Sequence, residues 1–360
     1  MLSAGIVGLP NVGKTTLFNA LSKKQKEAKN YPFCTIDPNC SIVDLEDDLV
    51  DQLAQLSTSE KIVYAPVSFT DIAGLVKGAS KGEGLGNQFL SHIRETAALV
   101  HVVRCFEDDD IVHVDGAIDP LNDMAVIDTE LILSDMQMAE NILRRLEKQA
   151  KGQKNAAKEA AALKKIYAHL ESNLPLRSIA LSDEEIELTA HYPFITKKPV
   201  LYVANIAETD LPTRTNRYVD IVKEKAAKEG SSVIVLSAKI EEELAQLENP
   251  QEFLEELGLK EPALKVLVRS AVHALGLITF ITTGEMETKA WMIPENTTAK
   301  KAAGAIHSDI EKGFIRAEVI QAKELVNMGS KVKAKEAGLL RIEGKEYIVQ
   351  HQDVMLFFHN

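Results

Sequence analysis

Residues 8–15 read GLPNVGKT, and this stretch decides the fold class of the chain. It matches a glycine-rich phosphate-binding loop, and it lies between a strand-like apolar run at residues 4–8 and a helical pattern that begins at Lys14. Glycines let backbone N–H groups close around phosphate oxygens, and the following helix points its positive N-terminus at them. The motif predicts a nucleotide site rather than a plain glycine turn, and its residues are Asn11, Val12, Gly13, Lys14, Thr15 and Thr16.

Short β-branched runs alternate with helical patterns beyond this loop. Strand-like runs occur at residues 67–71, 99–105, 200–205 and 233–237. This alternation predicts an α/β domain with a mostly parallel, doubly wound sheet, formed by residues 1–125 and 196–276. Between these two parts, apolar residues recur at helical spacing over residues 127–146 and 156–170. They predict an inserted antiparallel helical pair over residues 126–195, with a turn near Gly152.

Residues 277–360 have a different pattern. Strand-like runs at residues 278–283 and 288–293 surround a turn and predict a hairpin. A helix is expected next, with Thr297 or Thr298 as its N-cap and Gly313 just beyond its end. Three further strands are expected near residues 316–320, 339–349 and 354–359. This segment is therefore predicted to form a small α+β domain.

Composition limits the class of protein. The 360 residues are 45% hydrophobic, which is ordinary for globular domains, and no apolar window is long enough for a membrane span. The net charge of -12 disfavours indiscriminate attraction to nucleic acid, and no sequence-specific DNA partner or membrane partner is expected. Cys34, Cys40 and Cys105 fit neither a disulfide framework nor a zinc site, so a reducing, cytoplasmic location is expected.

A second motif follows the strand-like run at residues 67–70. Asp71 and Gly74 form a DxxG pattern. In this pattern the aspartate supports Mg²⁺ without contacting it directly, and the glycine N–H donates to the γ-phosphate. The glycine-rich residues behind it are typical of a mobile switch. The Thr15 hydroxyl is expected to bind Mg²⁺ directly. Thr35 is either a second Mg²⁺ ligand in a first switch or an ordinary loop threonine.

These motifs together resemble a known family. Residues 8–16 (GLPNVGKTT), 30–39 (NYPFCTIDPN) and 71–86 (DIAGLVKGASKGEGLG) are similar to the Obg-like branch of translation-factor-class P-loop GTPases, and within it to the Obg-like ATPase or YchF subfamily. The resemblance spans the chain and implies an Obg-type G domain, an inserted coiled coil and a C-terminal β-grasp domain of the TGS type. Residues 306–320 (IHSDIEKGFIRAEVI) carry the TGS likeness. It also implies a Mg²⁺-dependent ATPase that acts on the ribosome.

The segment expected to read the base departs from the guanine-specific pattern. Guanine-specific relatives carry Asn-Lys-x-Asp after this strand, whereas residues 205–208 read NIAE. The flanking lysine is missing and the carboxylate lies one methylene further out, so guanine selectivity should be lost. Adenine can be met by Asn205 and by loop backbone groups, with Ile206 and Glu208 beside them. Ser237, Ala238 and Lys239 match the last base-contacting loop of the family, although they could also be a plain strand-end turn.

A basic segment points to a partner. Residues 144–165 hold eight Lys or Arg and two Glu, a local net charge of +6. Such a run is either a solvated helix face or a set of contacts to RNA phosphates, to which Lys331, Lys333 and Lys335 of the C-terminal domain would add. The resemblance favours the ribosome, as the 70S particle or the 50S subunit.

The residue that positions the attacking water is not evident. Ras-like enzymes place a glutamine directly after DxxG, where this chain has Leu75, so slow intrinsic hydrolysis is expected. His113 is a candidate, because it follows a strand at the sheet edge where ligands bind, although it could simply interact with acidic neighbours. His101, inside an apolar run, is expected in the core. A GTPase or dual-specificity NTPase of ribosome assembly and a nucleotide-gated binding module with negligible turnover stay open as alternatives.

Overall fold

The computed structural model describes residues 2–23, 39–72, 85–108, 118–149 and 154–360. Its strands are β1 (Leu2–Val7), β2 (Cys40–Leu45), β3 (Ile62–Val63), β4 (Ala65–Asp71), β5 (Ala98–Arg104), β6 (Val200–Asn205), β7 (Ser232–Leu236), β8 (Leu277–Thr283), β9 (Thr288–Pro294), β10 (Phe314–Gln321), β11 (Arg341–Glu343) and β12 (Asp353–His359). Its helices are α1 (Lys14–Lys23), α2 (Asp48–Leu56), α3 (Leu85–Glu95), α4 (Pro120–Gln149), α5 (Lys154–Glu171), α6 (Asp183–Thr189), α7 (Arg217–Glu229), α8 (Ala238–Leu244), α9 (Gln251–Glu256), α10 (Ala263–Ala274), α11 (Ala299–Ile306), α12 (Ser308–Lys312), α13 (Ala322–Met328) and α14 (Lys331–Glu336).

These elements form two compact units. One contains residues 2–42 and 68–267, and the other contains residues 43–67 and 268–360. No helix in the described ranges has the length and apolar character needed to cross a membrane.

The first unit is built on a six-stranded sheet with the order β2-β4-β1-β5-β6-β7. The pairs β1–β5, β5–β6 and β6–β7 are parallel, as predicted. Every residue of β5 and β6 is buried, which explains why these strands read as continuous apolar runs. Because the strands run in the same direction, β1, β6 and β7 end at one edge of the sheet, where ligands bind in doubly wound folds.

The helical insert matches the predicted pair of apolar stripes. Helices α4 and α5 pack together, and the aromatic residues Tyr192 and Phe194 close the same cluster. The buried residues that the two helices share are Ile132, Ala139, Ile142, Leu146, Ala160, Leu163, Ile166 and Leu170. The predicted turn near Gly152 lies outside the described residues.

A buried ion cluster connects this insert to the sheet. The guanidinium of Arg177 contacts Asp128 of α4 at 2.9 Å and Glu229 of α7 at 3.0 Å. Lys225 lies 3.3 Å from Asp128, and the hydroxyl of Tyr202 in β6 donates to Glu229 at 2.8 Å. The Arg177 side chain is only 7% exposed, so its charge depends on these carboxylates rather than on water.

His101 is in the core, as predicted. It is 3% exposed, and its ring centroid lies 5.4 Å from that of Tyr202. Burial lowers the pKa of His101 to about 4, so the imidazole is neutral at physiological pH.

The second unit has its own six-stranded sheet, with the order β11-β10-β12-β8-β9-β3. The predicted hairpin is present, since β8 and β9 pair antiparallel. Strand β3, far away in sequence, pairs parallel with β9. The core beneath the sheet contains Phe280, Ile293, Val319 and Met355, together with alanines of α11.

Two expectations for this unit were wrong, and two of its helices were missed. The helix expected to run as far as Gly313 is interrupted at His307, whose backbone is extended and whose side chain accepts a hydrogen bond from the N–H of Asp309 to begin α12. The strand expected over residues 339–349 is only β11, because the following residues turn back to contact Thr297 and Thr298. Helices α13 and α14 were not predicted.

The ion cluster leads to a stability prediction. Asp128→Ala should lower the free energy of unfolding by about 3–5 kcal/mol, because it leaves the Arg177 charge buried with one partner fewer. Urea or thermal unfolding monitored by circular dichroism measures this. The control is Glu224→Ala, which removes an exposed pair with Lys228 on α7 and should leave the melting temperature nearly unchanged. Equal effects of the two substitutions would contradict the importance of the cluster.

Candidate nucleotide-binding site

A cavity of about 630 Å³ lies at the sheet edge where β1, β6 and β7 end. The start of α1, residues 106–108, residues 205–208 and the start of α8 line it. It brings together ten of the residues predicted to bind nucleotide, namely Asn11, Gly13, Lys14, Thr15, Thr16, Asn205, Ile206, Glu208, Ser237 and Ala238. Val12 is buried beneath them and contributes its carbonyl to the support of the loop.

The loop between β1 and α1 adopts backbone angles that favour glycine. Gly13 has φ +97° and Asn11 has φ +63°. A Cβ atom at Gly8 would lie 2.6 Å from the carbonyl oxygen of Val102, and one at Gly13 would overlap the amide nitrogen of Asn205. Substitution of either glycine would therefore displace the phosphate-binding loop.

Asn205 holds two parts of the site together. Its side-chain nitrogen donates to the carbonyl of Val12 at 2.9 Å, and its side-chain oxygen accepts from the N–H of Ala238 at 2.9 Å. The residue is 4% exposed. Sequence analysis expected this side chain to meet adenine, but both ends of its amide are used to join the phosphate loop to the start of α8.

Lys14 and Asp71 form the charged centre of the site. Lys14 is buried, and its ammonium donates to the carbonyl of Leu9 at 2.6 Å. Burial lowers the pKa of Lys14 to about 8, although the charge of Asp71 opposes this effect. Burial likewise raises the pKa of Asp71, against the pull of Lys14. A phosphate would supply the additional negative charge that a buried ammonium favours.

The oxygen atoms near this centre suit Mg²⁺. Thr15 is exposed in the first turn of α1 and lines the cavity, and Asp71 ends β4. Hydroxyl and carboxylate oxygens are the hard ligands that Mg²⁺ prefers. The predicted ligand Thr35, the switch residues Gly74 and Leu75, and His113 and Cys34 lie outside the described residues.

The segment predicted to read the base, residues 205–208, lines the cavity. Ile206 is buried, whereas Glu208 is exposed and starts a short 3₁₀ turn, Glu208–Asp210. Ser237 is buried at the N-cap of α8, and its side chain makes no capping hydrogen bond.

Sequence analysis missed the wall of the cavity that follows β5. Phe106, Glu107 and Asp108 line the cavity. The buried Arg104 donates to the carbonyl of Phe106 at 3.1 Å, and its guanidinium carbon lies 4.7 Å from the centre of the Phe106 ring. An arginine that ends an apolar strand, with an aromatic residue two positions later at the ligand-binding edge, was the available signal. Lys239, which was predicted as part of the last base-contacting loop, also lines the cavity, as does Glu242 of α8, which was not predicted.

Comparison with known proteins identifies the family. A family model described as "50S ribosome-binding GTPase" matches residues 3–148, and the model for the C-terminal domain of YchF GTPases, described as a protein of unknown function, matches residues 277–360. "Ribosome-binding ATPase YchF" of Haemophilus influenzae is 51% identical over 359 residues, which cover 99% of this chain and 98% of that protein. The chain belongs to the YchF family.

Other members of the family agree along the whole chain. "Ribosome-binding ATPase YchF" of Bacillus subtilis is 49% identical over 363 residues, covering 100% of this chain and 99% of that protein. The solved structure described as the YchF GTPase of Schizosaccharomyces pombe superposes with a TM-score of 0.88 at 35% identity, covering 99% of this chain and 97% of that chain. The predicted family and its P-loop fold are confirmed. The two bacterial relatives are named ATPases, whereas the Schizosaccharomyces pombe relative is named a GTPase.

The charge of Lys14 leads to a pH prediction. Nucleotide affinity should fall as pH rises through about 8, because the free protein loses the Lys14 proton there and bound phosphate favours the protonated form. A titration with fluorescent nucleotide from neutral to alkaline pH measures this change.

Lys14→Ala should bind nucleotide weakly at every pH and keep the wild-type circular dichroism spectrum. Undiminished binding or hydrolysis by Lys14→Ala would refute the assignment of the phosphate loop.

Asn205 provides a separate prediction. Asn205→Ala should lower stability by about 1–3 kcal/mol and weaken nucleotide binding, because the Val12 carbonyl and the Ala238 N–H lose their buried partner. Thermal unfolding and a nucleotide titration on the same protein measure both effects. Thr213→Ala, in the exposed loop after β6, is the control and should change neither. Wild-type stability of Asn205→Ala would mean that these two hydrogen bonds carry little energy.

Proposed function

We propose that this chain binds and hydrolyses ATP in preference to GTP, with Mg²⁺, and acts as a nucleotide-dependent switch on the ribosome or its large subunit. The observation that carries the nucleotide preference is the segment 205–208, where NIAE borders the cavity. The names of the bacterial relatives support ATPase activity and ribosome binding. The 70S particle and the 50S subunit are both candidate partners, and the cytoplasm is the proposed location.

The proposed preference for adenine follows from two residues of the guanine-specific pattern, a lysine and an aspartate, that residues 205–208 lack. Guanine selection needs a carboxylate held so that it accepts two hydrogen bonds at once. Glu208 is exposed and longer than aspartate, and buried Ile206 stands where a lysine would flank the base. With both ends of Asn205 engaged, backbone groups of residues 206–208 are the available partners for adenine, and Phe106 adds an aromatic ring to the lining of the cavity.

The chain's own residues would prepare phosphate for attack by water. Backbone N–H groups of residues 11–15 surround the phosphates, and the Lys14 ammonium neutralises charge on the outer ones. Thr15 and Thr35 would hold Mg²⁺ and Asp71 would support it, and the metal would stabilise charge on the β- and γ-phosphates. His113 is proposed to orient water, because Leu75 has no polar group for that task.

The proposed domain organisation assigns one task to each part. Residues 1–125 with 196–276 bind nucleotide, residues 126–195 form the helical insert, and residues 277–360 form the TGS domain. The basic segment 144–165 and the lysines of α14 are proposed to contact ribosomal RNA. Lys331 contacts Glu318 at 3.3 Å, so it contributes less free charge than Lys333 and Lys335.

Two alternatives remain. A GTPase or dual-specificity NTPase is favoured by the description of the Schizosaccharomyces pombe relative as a GTPase. A nucleotide-gated binding module would bind its partner in a nucleotide-dependent way even when turnover is lost.

Side-by-side titration with ATP and GTP tests the nucleotide preference. We expect tighter binding of ATP, and we expect Glu208→Asp combined with Ala207→Lys to shift the ratio of affinities toward GTP by about tenfold or more. Ala207 is half-buried and accepts this change more easily than buried Ile206. Equal wild-type affinities would favour the dual-specificity alternative. Full ATP selectivity in the double variant would place base selection elsewhere in the cavity.

A further inference from the structure

A polar groove of about 520 Å³ lies between α3 and α4, outside the nucleotide cavity. Its polar lining residues are Arg94 of α3 and Ser134, Gln137, Asn141 and Arg145 of α4. The four α4 residues follow one another at intervals of three or four, so they form one stripe along the helix about 16 Å long. None of the described residues that line the groove carries a carboxylate, although the chain is acidic overall.

The guanidinium of Arg94 is fixed but not saturated. One terminal nitrogen donates to the hydroxyl of Ser134 at 2.8 Å. Its Nε atom is buried, and no acceptor contacts it among the described residues. The hydrogen bond to Ser134 therefore holds the Arg94 guanidinium at the wall of the groove.

The backbone of Arg94 is also held in place. The ammonium of Lys198 donates to the carbonyls of Ile93 and Arg94, each at 2.8 Å, and to the carbonyl of Thr96. The nearby carboxylate of Asp135 accepts hydrogen bonds from Ile195 and Thr196. The positive charges of Arg94 and Lys198 therefore interact at the end of α3, and the nearby carboxylate of Asp135 offsets part of them.

At the other end of the groove, Arg145 lies near the hydroxyl of Tyr192, which donates to Glu159. Arg145 nevertheless stays exposed at the rim of the groove. The neighbouring Arg144 differs, since its guanidinium lies 2.6 Å from Glu140 and it does not line the groove.

We propose that this groove binds phosphate groups of an RNA backbone, with Arg94 and Arg145 as the two cationic contacts. Guanidinium groups pair with phosphate oxygens through parallel N–H donors, and the amides of Gln137 and Asn141 add neutral donors between them. The length of the stripe accommodates more than one phosphate of a continuous strand. The assignment rests on the proposed ribosome binding and makes it specific, because it replaces diffuse attraction by the whole basic segment with a built site.

The position of Arg94 gives the groove a further property. Helix α3 follows the DxxG motif and the glycine-rich residues 78–86, which border the phosphate site in sequence. A phosphate held by Arg94 is therefore bound to the first helix after the predicted switch.

Pelleting with purified 70S ribosomes at several KCl concentrations, in a non-hydrolysable ATP analogue, tests the proposal. Arg94→Gln and Arg145→Gln should each weaken binding by about tenfold and reduce the slope of log affinity against log salt by about 0.7. Arg144→Gln is the matched control, because it removes the same charge from the same helix turn outside the groove. Arg144→Gln should bind nearly as the wild type does, because its guanidinium pairs with Glu140 and does not line the groove.

A second arm identifies the ligand. Filter binding to protein-free ribosomal RNA should show the same order of variants if phosphate is the contact. Weakened ribosome binding with unchanged RNA binding would overturn the proposal and assign the groove to a ribosomal protein. Equal effects of Arg144→Gln and Arg145→Gln on binding would overturn the proposal, because binding would then depend on the overall positive charge and not on the groove. If the wild type binds ATP but does not pellet with ribosomes, the proposed ribosome partner fails instead.

Discussion

The buried amide of Asn205 is the contact on which the nucleotide cavity depends. It ends β6 and joins the carbonyl of Val12 to the N–H of Ala238, so that two segments more than two hundred residues apart in sequence share one side chain. Parallel pairing of β5, β6 and β7 brings the ends of the strands to a common edge, but it does not fix the loops beyond them. The Asn205 amide fixes these loops. Gly13 lies so close to this amide that a side chain in place of the glycine would overlap it.

The helical insert is attached to the same unit by charge rather than by apolar contacts alone. Arg177, Asp128 and Glu229 are each mostly buried, and they connect α4, the segment after α5, and α7. Charged groups at such a junction stabilise one geometry, since any displacement would leave a charge without its partner. Tyr202 and neutral His101 extend this cluster into the central strands. The insert is therefore positioned by the strands whose ends form the nucleotide cavity.

Local sequence patterns predicted some elements and missed others for physical reasons. Strands β5 and β6 are buried on both faces, so they are visible as apolar runs, and the phosphate loop is visible because its chemistry requires glycine, lysine and threonine at fixed spacing. The break at His307 was missed because it depends on one side chain capping the next helix. The wall formed by Phe106 was missed because it depends on buried Arg104, whose role appears only when the strand end and the loop are seen together. Asn205 was assigned to the base because sequence alone does not show which of its partners are protein atoms.

Strand β3 affects how the C-terminal domain would behave as a separate fragment. Its two residues, Ile62 and Val63, pair with Thr288 and Lys289 and cover the outer edge of β9. The hydroxyl of Ser59 and the side chain of Thr283 add contacts between the same distant stretches of sequence. A fragment cut at residue 277, where the C-terminal family model begins, would lose this cover together with α2. Its β9 would then present free backbone N–H and C=O groups to other chains, so self-association through that edge would be built into the excised domain.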